Sequence, residues 1–433
     1  MATPAFRAEH PQLTLEYDNM LACIRCGLCL TSCPTYVLSQ HEAEGPRGRV
    51  GMARALAEGH LDVTPDLIEH ELNCLVCDAC SAVCPAGVHM DPLQVRLRAV
   101  LEPSLHRSPL ARLLRLVVFG WLFMDMRRFR LFARAMWLYQ RSGARWIARR
   151  LGILHVLGLA TAERLLPDIP SAFVVSRDET YPSLSSGRPT PVAFFAGCVM
   201  STALADIDRA TVRVLQRAGC TVANPSAQGC CGALNAHGGD LPRAMQLAQL
   251  NIAAFEGTEG PIVVNSAGCG AMLKDYAHHL RADPAWAARA AAFTARVRDL
   301  SQVLAGRDLP LAASASDGPG RTVVYQDACH LLHAQGVSKQ PRDLLGRIPG
   351  VRLAEIDEAS LCCGSAGIYN VTNPVQSSQL QQRKLDRCLA PAPDVIVTAN
   401  PGCLLQLQSG LAERNSAVKV RHLAEMLDEA TAP

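Results

Sequence analysis

Hydrophobic and polar positions give the chain two textures. From residue 191 onward, short apolar runs rich in Val, Ile and Phe alternate with longer Ala/Leu-rich stretches. The runs are PVAFFAGC (191–198), PIVVNSAGC (261–269), RTVVYQDAC (321–329) and DVIVTANPGC (394–403). Short β-branched runs separated by loops and helix-length segments predict small α/β modules with parallel strands. Upstream the pattern is helical. A short helix is expected in the lead-in, residues 1–22. GPRGRVGMARALAEG (45–59) reads as a helix opening after Gly45 and Pro46, and DPLQVRLRAVLE (91–102) as another. The longest uncharged stretch of the apolar middle region, Leu116 to Met124, is far short of the ~20 residues that a membrane span needs.

The second half repeats itself. The run ending at Cys198, the GCCGA at 229–233 and the run ending at Cys269 return as the run ending at Cys329, LCCGSAG (361–367) and the run ending at Cys403. Corresponding cysteines are offset by 131, 132 and 134 residues (329−198, 362−230, 403−269). A near-constant offset at three landmarks means two copies of one unit. The polar stretches SRDETYPSLSSGRPTP (176–191) and LAASASDGPG (311–320) read as linkers. The expected organisation is a first domain at 1–105, a connector at 106–190, and two modules at 191–310 and 321–433.

The chemistry concentrates in cysteine, of which there are 18. CIRCGLCLTSCP (23–34) and CLVCDACSAVCP (74–85) place four cysteines at the same gaps, followed by proline. Three close thiolates hold three corners of one iron–sulfur cube, and the fourth, after a longer gap, reaches the other cube. Cys23, Cys26, Cys29 and Cys84 are thus expected on one [4Fe–4S] cluster, and Cys74, Cys77, Cys80 and Cys33 on a second. Structural zinc usually wants two close pairs of ligands. The N-terminus, MATPAFRAEHPQ, has no apolar leader region, so a reducing compartment is expected and disulfides are not. Arg47 and Arg49, opening the 45–59 helix, are expected near a cluster, where a cation favours the reduced form; a solvated helix start or a partner contact is the other reading.

In the repeated modules Cys198, Cys230, Cys231 and Cys269 correspond to Cys329, Cys362, Cys363 and Cys403. They fall where strands end and helices begin, the ligand-binding edge of an open α/β sheet. Recurrence in register beside glycines favours metal or redox function over simple packing. Adjacent cysteines suit a multi-iron cluster or a strained disulfide better than one small ion. Cys220 and Cys388, outside the pattern, read as small buried hydrophobes. His237, His278, His279, His330, His333 and His422 lack identified partners, although His330 and His333 would share a helical face after Cys329.

Composition narrows the rest. Net charge is only +3, and 49% of residues are hydrophobic, an ordinary globular share. Neither suggests nucleic-acid binding. No G-x-G-x-x-G follows a strand and no Walker lysine is present, so no flavin or nucleotide is expected on this chain. Residues 106–170 carry twelve arginines, most of them interleaved with Phe and Trp, and Asp125 is the only acid before Glu163. Three readings compete there: a helical connector packed on the next domain, a docking face for a partner subunit, or a contact with an anionic membrane surface.

Taken together, CIRCGLCLTSCPTY, GPRGR, CLVCDACSAVCPAGV, AGCV, GCCGA, SAGCGA, LCCGSAGIYNVTNP and VTANPGC resemble the iron–sulfur subunits of membrane-associated dehydrogenases. That group includes glycolate oxidase, anaerobic glycerol-3-phosphate dehydrogenase and heterodisulfide reductase relatives, and the glycolate oxidase subunit is the nearest. The resemblance spans about residues 20–405 and is weakest over 106–190. It implies a helical two-[4Fe–4S] ferredoxin domain followed by two repeated α/β CCG modules. It also implies flavin-containing partner subunits that oxidise glycolate to glyoxylate, and a quinone-type acceptor. The chain would sit in the cytoplasm, peripheral on the inner membrane face, with catalysis of substrate oxidation on the partner. Lactate or glycerol-3-phosphate dehydrogenase subunits, or a thiol/disulfide enzyme, are the alternatives. Heterodisulfide reductase relatives close each module with a CxxC pair on a non-cubane cluster. Here Ser266 and Asn400 stand at the first position of that pair, which leaves four candidate ligands per module.

Overall fold

The computed structural model describes residues 10–156, 158, 160–312 and 320–431. Most of the linker read at 311–320 therefore lies outside the described residues.

The first domain is helical. Its core gathers Leu13 and Met20 from the lead-in, Val50 and Leu56 from helix Pro46–Ala57, and Leu93 and Leu97 from helix Met90–Leu101. Proline at the first position of Pro46–Ala57 costs no hydrogen bond, because that N–H has no helical partner anyway. Glu16 ties the lead-in to the rest of the chain. It lies 3.1 Å from Arg96, 2.8 Å from His278 and 2.9 Å from Arg281, and against the opposing effect of burial His278 and Arg281 hold its carboxyl down at about 2.

Two sheets follow, built alike. The first contains β1 (Glu179–Tyr181), β2 (Thr190–Phe195), β3 (Cys220–Asn224), β4 (Ile262–Val264) and β5 (Val297–Asp299), in the order β1-β3-β2-β4-β5. The second contains β6 (Arg321–Tyr325), β7 (Val351–Ala354), β8 (Val395–Thr398) and β9 (Lys419–His422), in the order β7-β6-β8-β9. Without β1 the two orders are the same, and all of those pairings are parallel. The exception is β1, an antiparallel edge strand inside the stretch read as linker. Its Thr180 and Tyr181 favour extended backbone, and three residues suffice to cover the open edge of β3.

The modules do not stand apart. Val192, Phe194 and Val263 of one sheet share a continuous apolar cluster with Val323, Ile396 and Val397 of the other. Helix Ala205–Arg217 packs on the C-terminal helix Leu423–Ala430, where Arg213 and Arg217 both pair with Asp428. Among the described residues no helix is long and apolar enough to cross a membrane.

Candidate iron–sulfur centres

The two cysteine runs of the first domain fold into matching loops. Arg25 and Gly27, on either side of Cys26, have φ of +58° and +84°; Val76 and Asp78, on either side of Cys77, have +50° and +58°. Alternating left-handed residues with cysteines turns the chain tightly enough to bring successive thiols toward one point. Only one of the four is glycine, and a β-branched residue such as Val76 adopts this conformation at a cost of about 1–3 kcal/mol.

Cys33 leaves the first loop at the start of helix Pro34–Ser39 and, with Cys74, Cys77 and Cys80, lines one small cavity. The crossed grouping read from the spacing is thus brought together here, in a pocket whose remaining walls include Pro34, Pro46, Leu75 and Met90. Burial raises the Cys74 thiol and pushes those of Cys77 and Cys80 well up. Four sulfur donors facing one cavity suit a cationic multi-iron group, which would take them as thiolates. Of the other set, Cys23 and Cys84 both pack on the first domain's apolar core, while Cys26 is exposed and flanked by the exposed Ile24 and Leu28.

Arg49 is 1% exposed and sits in the wall of the same cavity. Its guanidinium donates to Thr35 Oγ1 at 3.0 Å, to the Glu44 carbonyl at 2.7 Å and to the Glu44 carboxylate at 2.6 Å, and lies 4.0 Å from Cys33 Sγ. Arg47 is more exposed, pairs with Glu42 at 2.6 Å and donates to the Arg25 carbonyl at 3.2 Å, bracing the first loop. Of the two arginines expected near a cluster, Arg49 is the buried one.

Each α/β module collects its four cysteines at the C-terminal edge of its sheet. Cys198 follows β2, Cys230 and Cys231 follow β3, and Cys269 opens the helix after β4 (Ala267–His279). Cys198 Sγ lies 3.5 Å from Cys230 Sγ, and Cys230 accepts from both Cys198 and Cys231, which holds it well below the usual thiol range. In the second module Cys329 Sγ lies 4.0 Å from Cys362 Sγ, and Cys363 is held low by Cys362 and Cys403 in the same way. Gly232 and Gly364, directly after the cysteine pairs, have φ of +84° and +82°. A Cβ at Gly364 would come within 2.6 Å of the Ser377 carbonyl oxygen, so both conformation and space demand glycine there.

The sites meet one another. Cys77 of the first domain shares an apolar cluster with Cys329 and Cys362 of the second module. The modules are joined at Asn400, one of the two positions lacking the CxxC cysteine. Its Oδ1 accepts from Gly268 N at 3.0 Å, and its Nδ2 donates to Cys403 Sγ at 3.5 Å. Ala267 N donates to Ala399 O at 3.1 Å, so two orphan N–H groups of one module's helix are capped by the other module.

The histidines separate by environment. His330 is half-buried and meets the Val76 carbonyl, and His333 turns instead to the Ser360 carbonyl at 3.1 Å, so the two serve different loops. His278 binds Glu16, and His422 bridges to the Asn265 carbonyl at 2.9 Å. Sequence reasoning missed Asn251 and Tyr276. Asn251 accepts from Gly229 N and donates to the Cys230 carbonyl, both at 2.8 Å, while Tyr276 Oη donates to the Cys231 carbonyl at 2.8 Å. A lone asparagine in the otherwise apolar QLNIAAF was the available signal for the first. A tyrosine in an apolar helix carries none.

Comparison with known proteins agrees along most of the chain. Family models match for a 4Fe-4S dicluster domain over residues 19–88, for the linker region of the glycolate oxidase iron–sulfur subunit over 110–166, and for the cysteine-rich CCG domain over 192–274 and again over 323–408. A probable glycolate oxidase iron–sulfur subunit of Bacillus subtilis is 40% identical over 96% of this chain and 95% of its own length. The glycolate oxidase iron–sulfur subunit of Escherichia coli is 31% identical with the same coverage. A lactate utilization protein A of an Exiguobacterium species is 30% identical but shares only 55% of this chain. With its dicluster domain, linker and paired CCG modules in that order, the chain belongs to the glycolate oxidase iron–sulfur subunit family.

Proposed function

We propose that this chain is the electron-transfer subunit of a glycolate-oxidising complex. In this reading a flavin-bearing partner takes the hydride from glycolate, giving glyoxylate, and electrons leave for a quinone-type acceptor at the inner face of the cell membrane. The observation that carries the electron-transfer reading is the convergence of Cys33 with Cys74, Cys77 and Cys80 on one cavity beside a buried arginine. The choice of glycolate over lactate rests on full-length likeness to glycolate oxidase subunits, against a lactate relative that shares only 55% of the chain.

Cys23, Cys26, Cys29 and Cys84 would hold one [4Fe–4S] cluster and Cys74, Cys77, Cys80 and Cys33 the other. When bound, such clusters supply one-electron carriers. The chain's own residues set the conditions. Exposed Cys26, between Ile24 and Leu28, puts the first loop within reach of a docked redox partner. The Arg49 guanidinium, 4.0 Å from Cys33 Sγ, favours added negative charge on the second site. Cys77, packed with Cys329 and Cys362, links that site to the second module. The four-cysteine sets Cys198, Cys230, Cys231, Cys269 and Cys329, Cys362, Cys363, Cys403 are candidate sites for a further cluster. No general acid or base is needed on this chain.

The test is turnover by the complex carrying Cys77→Ser. Glycolate should still reduce the flavin subunit, while reduction of quinone falls at least roughly a hundredfold, about 2.7 kcal/mol in barrier terms. Unchanged quinone reduction would sink the assignment.

A further inference from the structure

Helix Pro109–Arg115 and the turns that continue it through Leu122 are amphipathic in an unusual sense. Leu110, Leu113, Leu114, Val117 and Trp121 recur at helical spacing and are 42–65% exposed. The inward positions are already satisfied. Phe119, Leu122 and Phe129 are buried, Leu122 and Phe129 belong to the same apolar cluster as Cys198, Cys230 and Cys231, and the Phe119 carbonyl accepts from Asn235 at 3.0 Å. The outward apolar stripe thus contributes nothing to the chain's own core. The next helix, Met126–Arg141, packs beside it and exposes Leu131, Phe132 and Leu138. The third, Ala144–Arg150, exposes Trp146 and Ile147. Exposed apolar area on this scale marks an interaction surface.

Charge says what covers it. Glu102 pairs with Arg107 and Arg115, and Glu163 with Arg145 and Arg149. Asp125 is spent on the backbone N–H groups of Arg127 and Arg128. The exposed Arg112, Arg127, Arg128, Arg141 and Arg150 form no direct ion pair among the described residues, and only Arg127 and Arg128 have a carboxylate, that of Asp125, in their neighbourhood. Two of them lie over exposed tryptophan rings: Arg128 is 5.0 Å from Trp121 and Arg150 is 5.6 Å from Trp146. Leucines flanked by Trp and unpaired Arg match the layering of a bilayer surface, with acyl chains inside, aromatic rings at headgroup level and phosphates outside. A protein partner would instead present carboxylates to five free arginines while also covering the leucines between them.

From this we infer that residues 109–151 form an in-plane seat on an anionic lipid surface. Leu110, Leu113, Leu114 and Val117 dip below the headgroups, Trp121 lies at their level, and Arg112, Arg127, Arg128, Arg141 and Arg150 hold phosphates. The inference deepens the membrane-side reading given above and rests on it only for biological context. It also puts the first module's cysteines directly behind the seat, because Leu122 and Phe129 pack on both.

The experiment is flotation of the intact complex with vesicles of equal parts phosphatidylglycerol and phosphatidylcholine, and with phosphatidylcholine alone. Glycolate-dependent dye reduction is measured in parallel without lipid. The expected result is binding to the anionic vesicles only, weakened at high salt. The double variant Arg127→Glu/Arg128→Glu should weaken it at least roughly tenfold, and Leu113→Glu/Trp121→Glu should abolish it, with dye reduction unchanged in both. Equal binding of the variants, or no binding of the parent protein while it still reduces dye, would overturn the lipid seat and leave the electron-transfer reading standing. Release of a partner subunit by Leu113→Glu/Trp121→Glu would overturn it in favour of a protein-covered face.

Discussion

The His330 imidazole lies 2.6 Å from the backbone oxygen of Val76, joining residues 254 apart in sequence. A carbonyl only accepts, so Nε2 carries the proton and donates. Val76 is the β-branched residue held at φ +50° in the second cysteine loop, and His330 directly follows Cys329 of the second module. One hydrogen bond thus steadies the strained turn of one site from a side chain of the next.

Replacing His330 with alanine removes that brace. The complex should still assemble, but iron should pass to a chelator several-fold faster, and His330→Gln, which keeps a donor, should recover part of the loss. Equal chelation rates for all three proteins would mean that the loop needs no help from the module.

Gly364→Ala tests the cysteine-pair turn. A left-handed alanine costs about 1–2 kcal/mol by itself, and here its Cβ also meets the Ser377 carbonyl at 2.6 Å. The control is Gly336→Ala, at φ +66° with nothing within 4 Å of the added carbon, which should cost only the conformational part. Urea denaturation of both should show the larger loss for Gly364→Ala; equal losses would remove the steric argument.

How much of this was legible in the sequence differs by element. The cysteine quartets were, because ligand spacing is local. So was the doubled module, because β-branched runs and cysteines recur at a near-constant offset. β3, β5, β7 and β9 were harder to see. They are short, and β3 (CTVAN) and β7 (VRLA) carry little more apolar character than their surroundings. The connector's arginines and aromatics were plain, but composition does not say which way an amphipathic helix faces; only the prior claim of Phe119, Leu122 and Phe129 on the interior settles that. Contacts such as Glu16 with His278, or Asn400 with Gly268, join single polar residues across long separations and leave no local pattern.

Asn400 carries a prediction of its own. Asn400→Ala deletes the acceptor for Gly268 N and the donor to Cys403 in one change. A cost of about 1–2 kcal/mol is expected, read as a fall in melting temperature. Ser266→Ala, whose side chain makes no capping bond, should be nearly silent. Similar falls for both would deny Asn400 its bridging role.

Acid should loosen the module junction through His422. Burial pushes this imidazole down to about 4, while its Nδ1 accepts from Ala424 N and its Nε2 donates to the Asn265 carbonyl. A folded-state pKa below the usual ~6.5 means that the unfolded chain binds the proton first. The stabilisation is complete above about pH 6.5 and lost as pH falls toward 4. Melting temperature should therefore drop over that window more steeply in the parent protein than in His422→Gln, and parallel curves would show that His422 is not the titrating group. Burial holds His279 at about 4 as well, so it contributes in the same window, while the buried carboxyls of Glu71, Asp78 and Asp299, raised to about 7, 6 and 6, act in the opposite direction.

The central claim is that electrons from glycolate reach the cysteine-held centres of this chain. Its most direct test is iron and acid-labile sulfide per chain on the anaerobically purified complex, with EPR spectra before and after glycolate. The account predicts about eight irons for two [4Fe–4S] clusters, or more if the modules hold metal, and reduced-cluster signals that appear on glycolate addition and vanish in Cys26→Ser/Cys77→Ser. A full complement of clusters that dithionite reduces but glycolate leaves silent, in a complex whose flavin glycolate does reduce, would contradict it.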